Sequence, residues 1–252
     1  MPFTHLVILI ILFFLTTVVG VVTGSNSLIT VPVMFQFGID EKVAVATNMF
    51  GLTFMSIGAT IPFLRQGKIN VGRVSPMIVL TVIGSAIGAT LVGLITNQSM
   101  KLIVSIAMIA VTLFTVFQRK RVNGEAHAVS KVSLAIALVL TFLLAIYGGL
   151  YSGGYVTILT ATVVAFFGMT FAEAVASTKL INVFSSSVAT IVFAWQGLID
   201  YRLGLILGVT MFVGAYFGAH YATKLNELWL RRIFLTTVLL LAIKILYDLA
   251  IG

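Results

Sequence analysis

Residues Phe54 to Ile69 read FMSIGATIPFLRQGKI, and Phe184 to Ile199 read FSSSVATIVFAWQGLI. Nine of the sixteen positions are identical at an offset of 130 residues, and self-similarity at a fixed spacing marks a chain built from copies of one unit. The same offset sets Ala44-Val45-Ala46 on Ala174-Val175-Ala176, and Gly84, Gly88 and Ala89 on Gly214, Gly218 and Ala219. Chance pairing of apolar letters would not hold one register so long. With the offset one residue shorter, Gly20 and Gly24 meet Gly149 and Gly153, so the duplication extends to the start of each half. The chain therefore divides into a first repeat at 1–118, a basic linker at 119–131 and a second repeat at 132–252.

Composition says what solvent these copies meet. The 252 residues are 60% hydrophobic and 9% charged, with a mean hydropathy of +1.16, which leaves too little polar surface for a water-soluble globule. Apolar runs fill nearly the whole length, each close to the ~20 residues a helix needs to cross ~30 Å of hydrocarbon. An all-α integral membrane protein is expected. Leu6–Val22 resembles the core of a signal peptide, but no Lys or Arg precedes it and no small-residue cleavage site ends it, so it is expected to stay. The net charge of +8 sits in short connections rather than in a basic patch interleaved with aromatics, which argues against nucleic acid as a partner. Cysteine is absent, which removes disulfides and thiolate chemistry.

Each half opens on an unusually long apolar segment, Leu6–Phe37 or Val132–Phe167, followed by three ordinary spans. The spans are expected at 43–64, 74–95 and 101–117, then at 172–195, 203–223 and 230–249. A continuous helix over the first long segment would reach ~48 Å, too long for one crossing. Both segments carry a polar, glycine-bearing interruption, Thr23-Gly24-Ser25-Asn26-Ser27 and Ser152-Gly153-Gly154-Tyr155, where continuous helix is disfavoured. If each segment crosses once, the loop Lys and Arg divide eight against five. If each folds back on itself, Arg65, Lys68, Arg73, Arg119, Lys120, Arg121, Lys131, Lys224, Arg231 and Arg232 share one side, and only Lys42, Lys101 and Arg202 face the other. The positive-inside rule prefers the second division. It gives inverted repeats, each with a broken or re-entrant first segment and three transmembrane helices, and it puts both termini outside the cytoplasm.

The breaks are where chemistry is expected. A helix starting just after one would aim free N–H groups and its positive dipole end at the break, a ready site for an anion. Gly24, Ser25, Asn26, Ser27, Gly153, Gly154, Tyr155 and Thr157 are candidates there; the polar ones would equally serve as caps of a re-entrant turn. Thr47 and Asn48 in the first half, and Thr178, Lys179 and Asn182 in the second, lie near the start of the following spans. Lys179 is the most informative. It sits well inside an apolar span with no carboxylate three or four residues away, and an unpaired ammonium at the bilayer centre costs at least ~3 kcal/mol. A bound anion would supply the missing charge; snorkelling or a partner on another helix is the bland alternative. Its counterpart in the first half is Met49.

Gln66-Gly67 and Gln196-Gly197 end matching spans and read as helix stops, with a gate as the second option. Gly84-Ser85-Ala86-Ile87-Gly88 and Gly214-Ala215-Tyr216-Phe217-Gly218 have the spacing that draws membrane helices together. His5, His127 and His220 have no companion ligands at metal spacing. No GxxxxGK[ST] phosphate loop occurs, and the seven acids are scattered near span ends, so neither ATP binding of that kind nor a carboxylate-based enzyme is expected.

The glycine-bearing break, the Ala-x-Ala-Thr segment at 44–47, the Ser-Thr-Lys-Leu-Ile-Asn run at 177–182 and the repeated Gln-Gly-x-Ile together resemble the TauE/SafE sulfite exporter family over essentially the full length. The resemblance implies a transporter of the cytoplasmic membrane that moves sulfur-containing anions such as sulfite, thiosulfate or organosulfonates, usually outward. It places the family's glycine-rich turns on Gly20, Gly24, Gly149, Gly153 and Gly154 and its threonine-containing segments on Thr47, Thr178, Lys179 and Asn182. The first break, Gly-Ser-Asn-Ser, is less rich in glycine than in many relatives. The expected partners are a small anion, the lipid bilayer, a coupling ion (H+ or Na+) and a second copy in a homodimer, with no cofactor and no metal. An anion channel is the nearest alternative, and an intramembrane enzyme or a membrane complex subunit a more distant one.

Overall fold

The computed structural model describes residues 3–24, 26–117, 129–221 and 247. Among them are nine α-helices and no strand: α1 (Phe3–Thr23), α2 (Ser27–Gln36), α3 (Glu41–Arg65), α4 (Val71–Leu94), α5 (Asn97–Phe117), α6 (Lys131–Leu150), α7 (Tyr155–Phe167), α8 (Phe171–Trp195) and α9 (Tyr201–Tyr221). All but α2 and α7 are long and apolar enough to cross a membrane. Leu15, Ile83, Ile106, Leu143, Ile191 and Phe217 stand exposed along them, the outward apolar surface that lipid requires. Both long first segments are divided at their glycine-bearing breaks, into α1 and α2 and into α6 and α7. The span expected at 230–249 lies outside the described residues apart from Tyr247, as do Ser25 and most of the linker.

The repeat in the sequence recurs in the backbone. Helices α3 and α8 are 25 residues each, with starts and ends 130 positions apart. Every left-handed residue among those described is a glycine, and the six form three pairs at that spacing: Gly24 with Gly154, Gly38 with Gly168, and Gly67 with Gly197. A positive φ at these turns is open to glycine at little steric cost. The left-handed counterpart of Gly24 is thus Gly154 rather than Gly153, so the one-residue slip in the alignment falls before that glycine.

The long spans α3, α4, α6, α8 and α9 start at side-chain caps. Asp40 accepts from the backbone of Lys42 and Val43, Asn70 from Arg73, Ser130 from Ser133 and Asp200 from Leu203. Thr170 and Glu173 form a full capping box on α8. Helices α2 and α7 start without a side-chain cap, at Asn26 and Gly154.

Packing does not follow the halves of the sequence. Helix α4 packs on α6 and α8, while its counterpart α9 packs on α1 and α3. One bundle is thus α1, α2, α3, α5 and α9, and the other is α4, α6, α7 and α8. The α3–α8 pair forms the main bridge between them among the described residues. The α4–α6 crossing is backbone against backbone: a Cβ added at Gly88 would lie 1.9 Å from the Ile146 carbonyl oxygen, and one at Gly149 would lie 2.2 Å from that of Ser85.

Several contacts relate helix ends. The ring of His5, at the start of α1, lies 4.7 Å from that of Phe37, just past α2. In the second half Ser133, near the start of α6, donates to the Phe166 carbonyl near the end of α7 at 2.9 Å. The Lys42 ammonium donates to the Ile95 carbonyl at 2.8 Å, and Asn97 bonds Asp40. Arg73 donates to the Phe167 carbonyl at 2.6 Å and covers the Phe167 ring.

Candidate functional site

The two breaks meet. Ser27, the first residue of α2, and Ser152, just past α6, bring their hydroxyls to 2.7 Å across 125 residues of chain, and the Tyr151 hydroxyl donates to the Ser27 carbonyl at 3.0 Å. Around this junction lies a cavity lined by Gly24, Asn26, Ser27, Leu52, Met55, Ser56, Ser152, Val156, Lys179 and Asn182. Its volume, about 10 Å³, is near the minimum for a single water molecule. It belongs to both bundles, and the hydrogen bonds at its edge cross between them.

Lys179 is the ninth residue of α8, about 12 Å along the helix from its start at 1.5 Å per residue. Its side chain is 3% exposed, and its ammonium donates to the Gly20 carbonyl of α1 at 3.2 Å. No carboxylate among the described residues is close enough to balance it. Glu173, the only acid earlier on the helix, is engaged in the Thr170 capping box. One turn beyond Lys179, Asn182 donates to Ser56 of α3 at 2.7 Å, leaving its carbonyl oxygen buried and unpartnered. Across the cavity the Asn26 side chain donates to Thr17 at 3.3 Å and to the Met55 sulfur at 3.7 Å, and its amide oxygen Oδ1 is likewise unpartnered. A second layer holds Ser27: Thr30 donates to Asn48 at 2.7 Å, and Asn48 donates to Ser27 at 2.9 Å.

Of the residues expected from sequence, Gly24, Asn26, Ser27, Lys179 and Asn182 line the cavity, and Asn48 stands behind Ser27. Thr157 sits against Gly24, where an added Cβ would come within 3.0 Å of its hydroxyl. Thr47 instead accepts from the backbone N–H of Asp200 at 3.0 Å, tying α3 to the turn before α9. Thr178 pairs with Thr160 at 3.1 Å, in the place that Asn48 and Thr30 occupy in the first half. Gly154 packs on Val111, Gly153 accepts from the Tyr147 hydroxyl, and Tyr155 is buried on the side of Thr81 and Ser185. Gln196 holds the end of α4 through the Ala89 carbonyl at 3.2 Å, while Gln66 is exposed. Sequence reasoning did not single out Ser56, Ser152 or the Gly20 carbonyl. Ser56 was visible only as one identity in the repeat, and Ser152 as part of a break. A backbone acceptor carries no signal in the sequence.

Chemically, the cavity joins one ammonium, three hydroxyls and two amides to an apolar wall of Leu52, Met55 and Val156, between two helix starts without side-chain caps. A profile of the family described as Sulfite exporter TauE/SafE matches residues 8–245. The chain belongs to this family. Among curated relatives of this TauE/SafE chain, the "Probable membrane transporter protein ORF9" of Sinorhizobium sp is 27% identical over 249 residues, covering 98% of this chain and 95% of that protein. The "Probable membrane transporter protein YfcA" of Escherichia coli (strain K12) is 25% identical over 241 residues, 94% of this chain and 89% of the relative. A "Probable membrane transporter protein" of Haemophilus influenzae is 23% identical over 236 residues, 93% and 92% of the two chains. No solved structure matches. The protein is thus a multi-pass membrane transporter and not an enzyme.

Proposed function

We propose that this TauE/SafE transporter is an alternating-access carrier of a small sulfur-containing anion (sulfite, thiosulfate or an organosulfonate), which it exports across the cytoplasmic membrane from the cavity at the two breaks. The observation that carries the reading is Lys179, a buried ammonium in mid-span whose partner among the described residues is one backbone carbonyl and which lines a cavity. A buried cation without a counter-charge is expensive, and an anion in the cavity supplies the charge. Ser27, Ser56 and Ser152 add neutral donors, and the starts of α2 and α7 add backbone N–H groups and dipole.

The same proposal includes inverted repeats at 1–118 and 132–252 joined by the linker at 119–131. The contact of His5 with Phe37, and that of Ser133 with Phe166, support short helices that return to the side on which α1 and α6 begin. Three further crossings per half then turn the second copy over. On this reading the 65–73 turn and the linker share the cytoplasmic side, the basic side of the positive-inside rule, and the termini lie outside. The bodies that move are the two exchanged bundles rather than the two sequence halves, because α4 is packed into the second half and α9 into the first. Parting them around α3 and α8 breaks the Ser27–Ser152 and Asn182–Ser56 bonds and opens the cavity beyond the size of one water. A coupling ion, H+ or Na+, and a homodimer belong to this proposal as well.

The test is uptake of radiolabelled sulfite, thiosulfate and methanesulfonate into liposomes carrying wild type or Lys179→Ala, with chloride and a neutral sugar as controls. Wild type moves at least one sulfur oxyanion and Lys179→Ala, inserted to the same yield, does not. Normal transport by the variant removes Lys179 from the site, and the absence of any sulfur-anion flux in wild type removes the substrate class.

A further inference from the structure

The hydrogen bonds around the cavity have a direction, and following it shows what the ligand must offer. Thr30 donates to the Asn48 carbonyl oxygen, so the Asn48 amide nitrogen is the group facing Ser27, and it donates to the Ser27 hydroxyl. That hydroxyl lies 2.7 Å from the Ser152 hydroxyl, and one bond between two hydroxyls uses one of their two hydrogens, whichever serine donates. The other hydrogen of the Ser27–Ser152 pair is then left over at the cavity wall, which both residues line. Ser56 accepts from Asn182 and likewise keeps a hydrogen to give. Lys179 has three N–H groups and spends one on Gly20. These donors suit an anion.

The side-chain oxygens of Asn182 and Asn26 do not fit that pattern, each buried without a partner; Asn182 turns its amide to a hydroxyl that could serve either of its ends, so Asn26 is the better fixed of the two. Its amide nitrogen lies beside both the Thr17 hydroxyl and the Met55 sulfur; a thioether only accepts, which fixes the nitrogen on that side and leaves the carbonyl oxygen as the free atom. This oxygen is buried without a partner on a residue only 3% exposed that lines the cavity. An oxyanion with no hydrogen of its own would set its lone pairs against it. Resting on the anion-site reading above, we infer that Asn26 is a specificity residue and that the favoured substrates are monoanions bearing their own O–H donor beside the charged head, such as hydroxy-substituted sulfonates and hydrogen oxyanions. The donor meets the Asn26 oxygen while the charged head takes the hydrogens of Lys179, Ser56 and the Ser27–Ser152 pair. A site with a buried acceptor penalises any ligand that leaves it unpaired.

The experiment compares two permanent monoanions of equal heavy-atom count, 2-hydroxyethanesulfonate and propane-1-sulfonate, as inhibitors of labelled sulfite uptake in liposomes. Wild type is inhibited by the hydroxylated anion at a concentration about tenfold lower or more, although the alkyl anion is the more hydrophobic. In Asn26→Leu the ratio falls toward one or reverses. Should Asn26→Leu fail to insert, the wild-type ratio and that of Asn26→Ser decide in its place. Equal inhibition by the two anions, or a preference unchanged by the Asn26 substitutions, overturns the inference and leaves the anion site standing. If sulfite moves but neither sulfonate inhibits, the donor-bearing class is wrong; if no sulfur anion moves or inhibits at all, the reading beneath it falls too.

Discussion

The two sides of the cavity are the same two elements of structure with different side chains. Asn26 and Val156 stand 130 positions apart and both line it, as do Leu52 and Asn182. In each pair one member is an amide and the other an alkyl group, and the amide comes from the first half in one pair and from the second half in the other. Lys179 has Met49 as its counterpart, fully buried in the core. A duplicated backbone therefore supplies two equivalent breaks, while divergence of a few side chains turns their junction into one lopsided site with a charge on one side. The lesson is that the fold's symmetry positions the cavity and its asymmetry gives the cavity chemistry.

That contrast can be broken. The largest effect is expected from Lys179→Met, which gives the second half the residue of the first and deletes the only charge among the described residues that line the site: sulfur-anion transport falls by two orders of magnitude or more in reconstituted vesicles, in line with loss of a desolvated ion contact worth ~3 kcal/mol or more. Next comes closure between the bundles. The chain has no cysteine, and the Ser27 and Ser152 oxygens are 2.7 Å apart, within reach of a disulfide. In Ser27→Cys/Ser152→Cys, oxidation stops transport and reduction restores it; flux through the oxidised protein would show that these two residues do not separate during the cycle.

Smaller changes sharpen the comparison. At the tight α4–α6 crossing, Gly88→Ala forces a methyl against the Ile146 carbonyl and lowers thermal stability in detergent by roughly 1–3 kcal/mol. The equivalent Gly218→Ala, whose Cβ would stop 2.8 Å from the Val18 carbonyl oxygen, is expected to be milder. Ser152→Ala removes one neutral donor and raises KM about five- to tenfold, the value of one hydrogen bond near 1 kcal/mol.

Much of the architecture was legible in the sequence, because each device behind it has a local signature. The repeat showed in identities such as Gln66-Gly67 and Gln196-Gly197, the spans in apolar length, and the split first segments in glycine flanked by Ser and Asn. The boundaries of α8 fell within one residue of the expected 172–195, since Thr170, Glu173 and Gly197 punctuate the chain at its ends. Lys179 stood out for a reason that survives in three dimensions: charge in an apolar run demands an explanation. What was not legible depends on which helices cross. Thr47 and Asn48 are adjacent and looked equivalent, yet a helix turns successive residues about 100° apart, so one reaches the turn before α9 and the other reaches Ser27. The exchange of α4 and α9 between the halves likewise follows from close approach at glycines on partner helices, which the small-residue spacing announces without naming the partner.

The most direct measurement is of binding rather than transport: thermal unfolding of the purified protein in detergent, with sulfite, thiosulfate or methanesulfonate titrated against chloride at constant ionic strength. A ligand that binds the folded state alone raises the midpoint with its concentration. The account predicts a saturable rise for wild type with at least one sulfur anion, and none for Lys179→Met at equal folding yield. An equal rise in both proteins would contradict it, placing the anion away from the cavity where the two breaks meet.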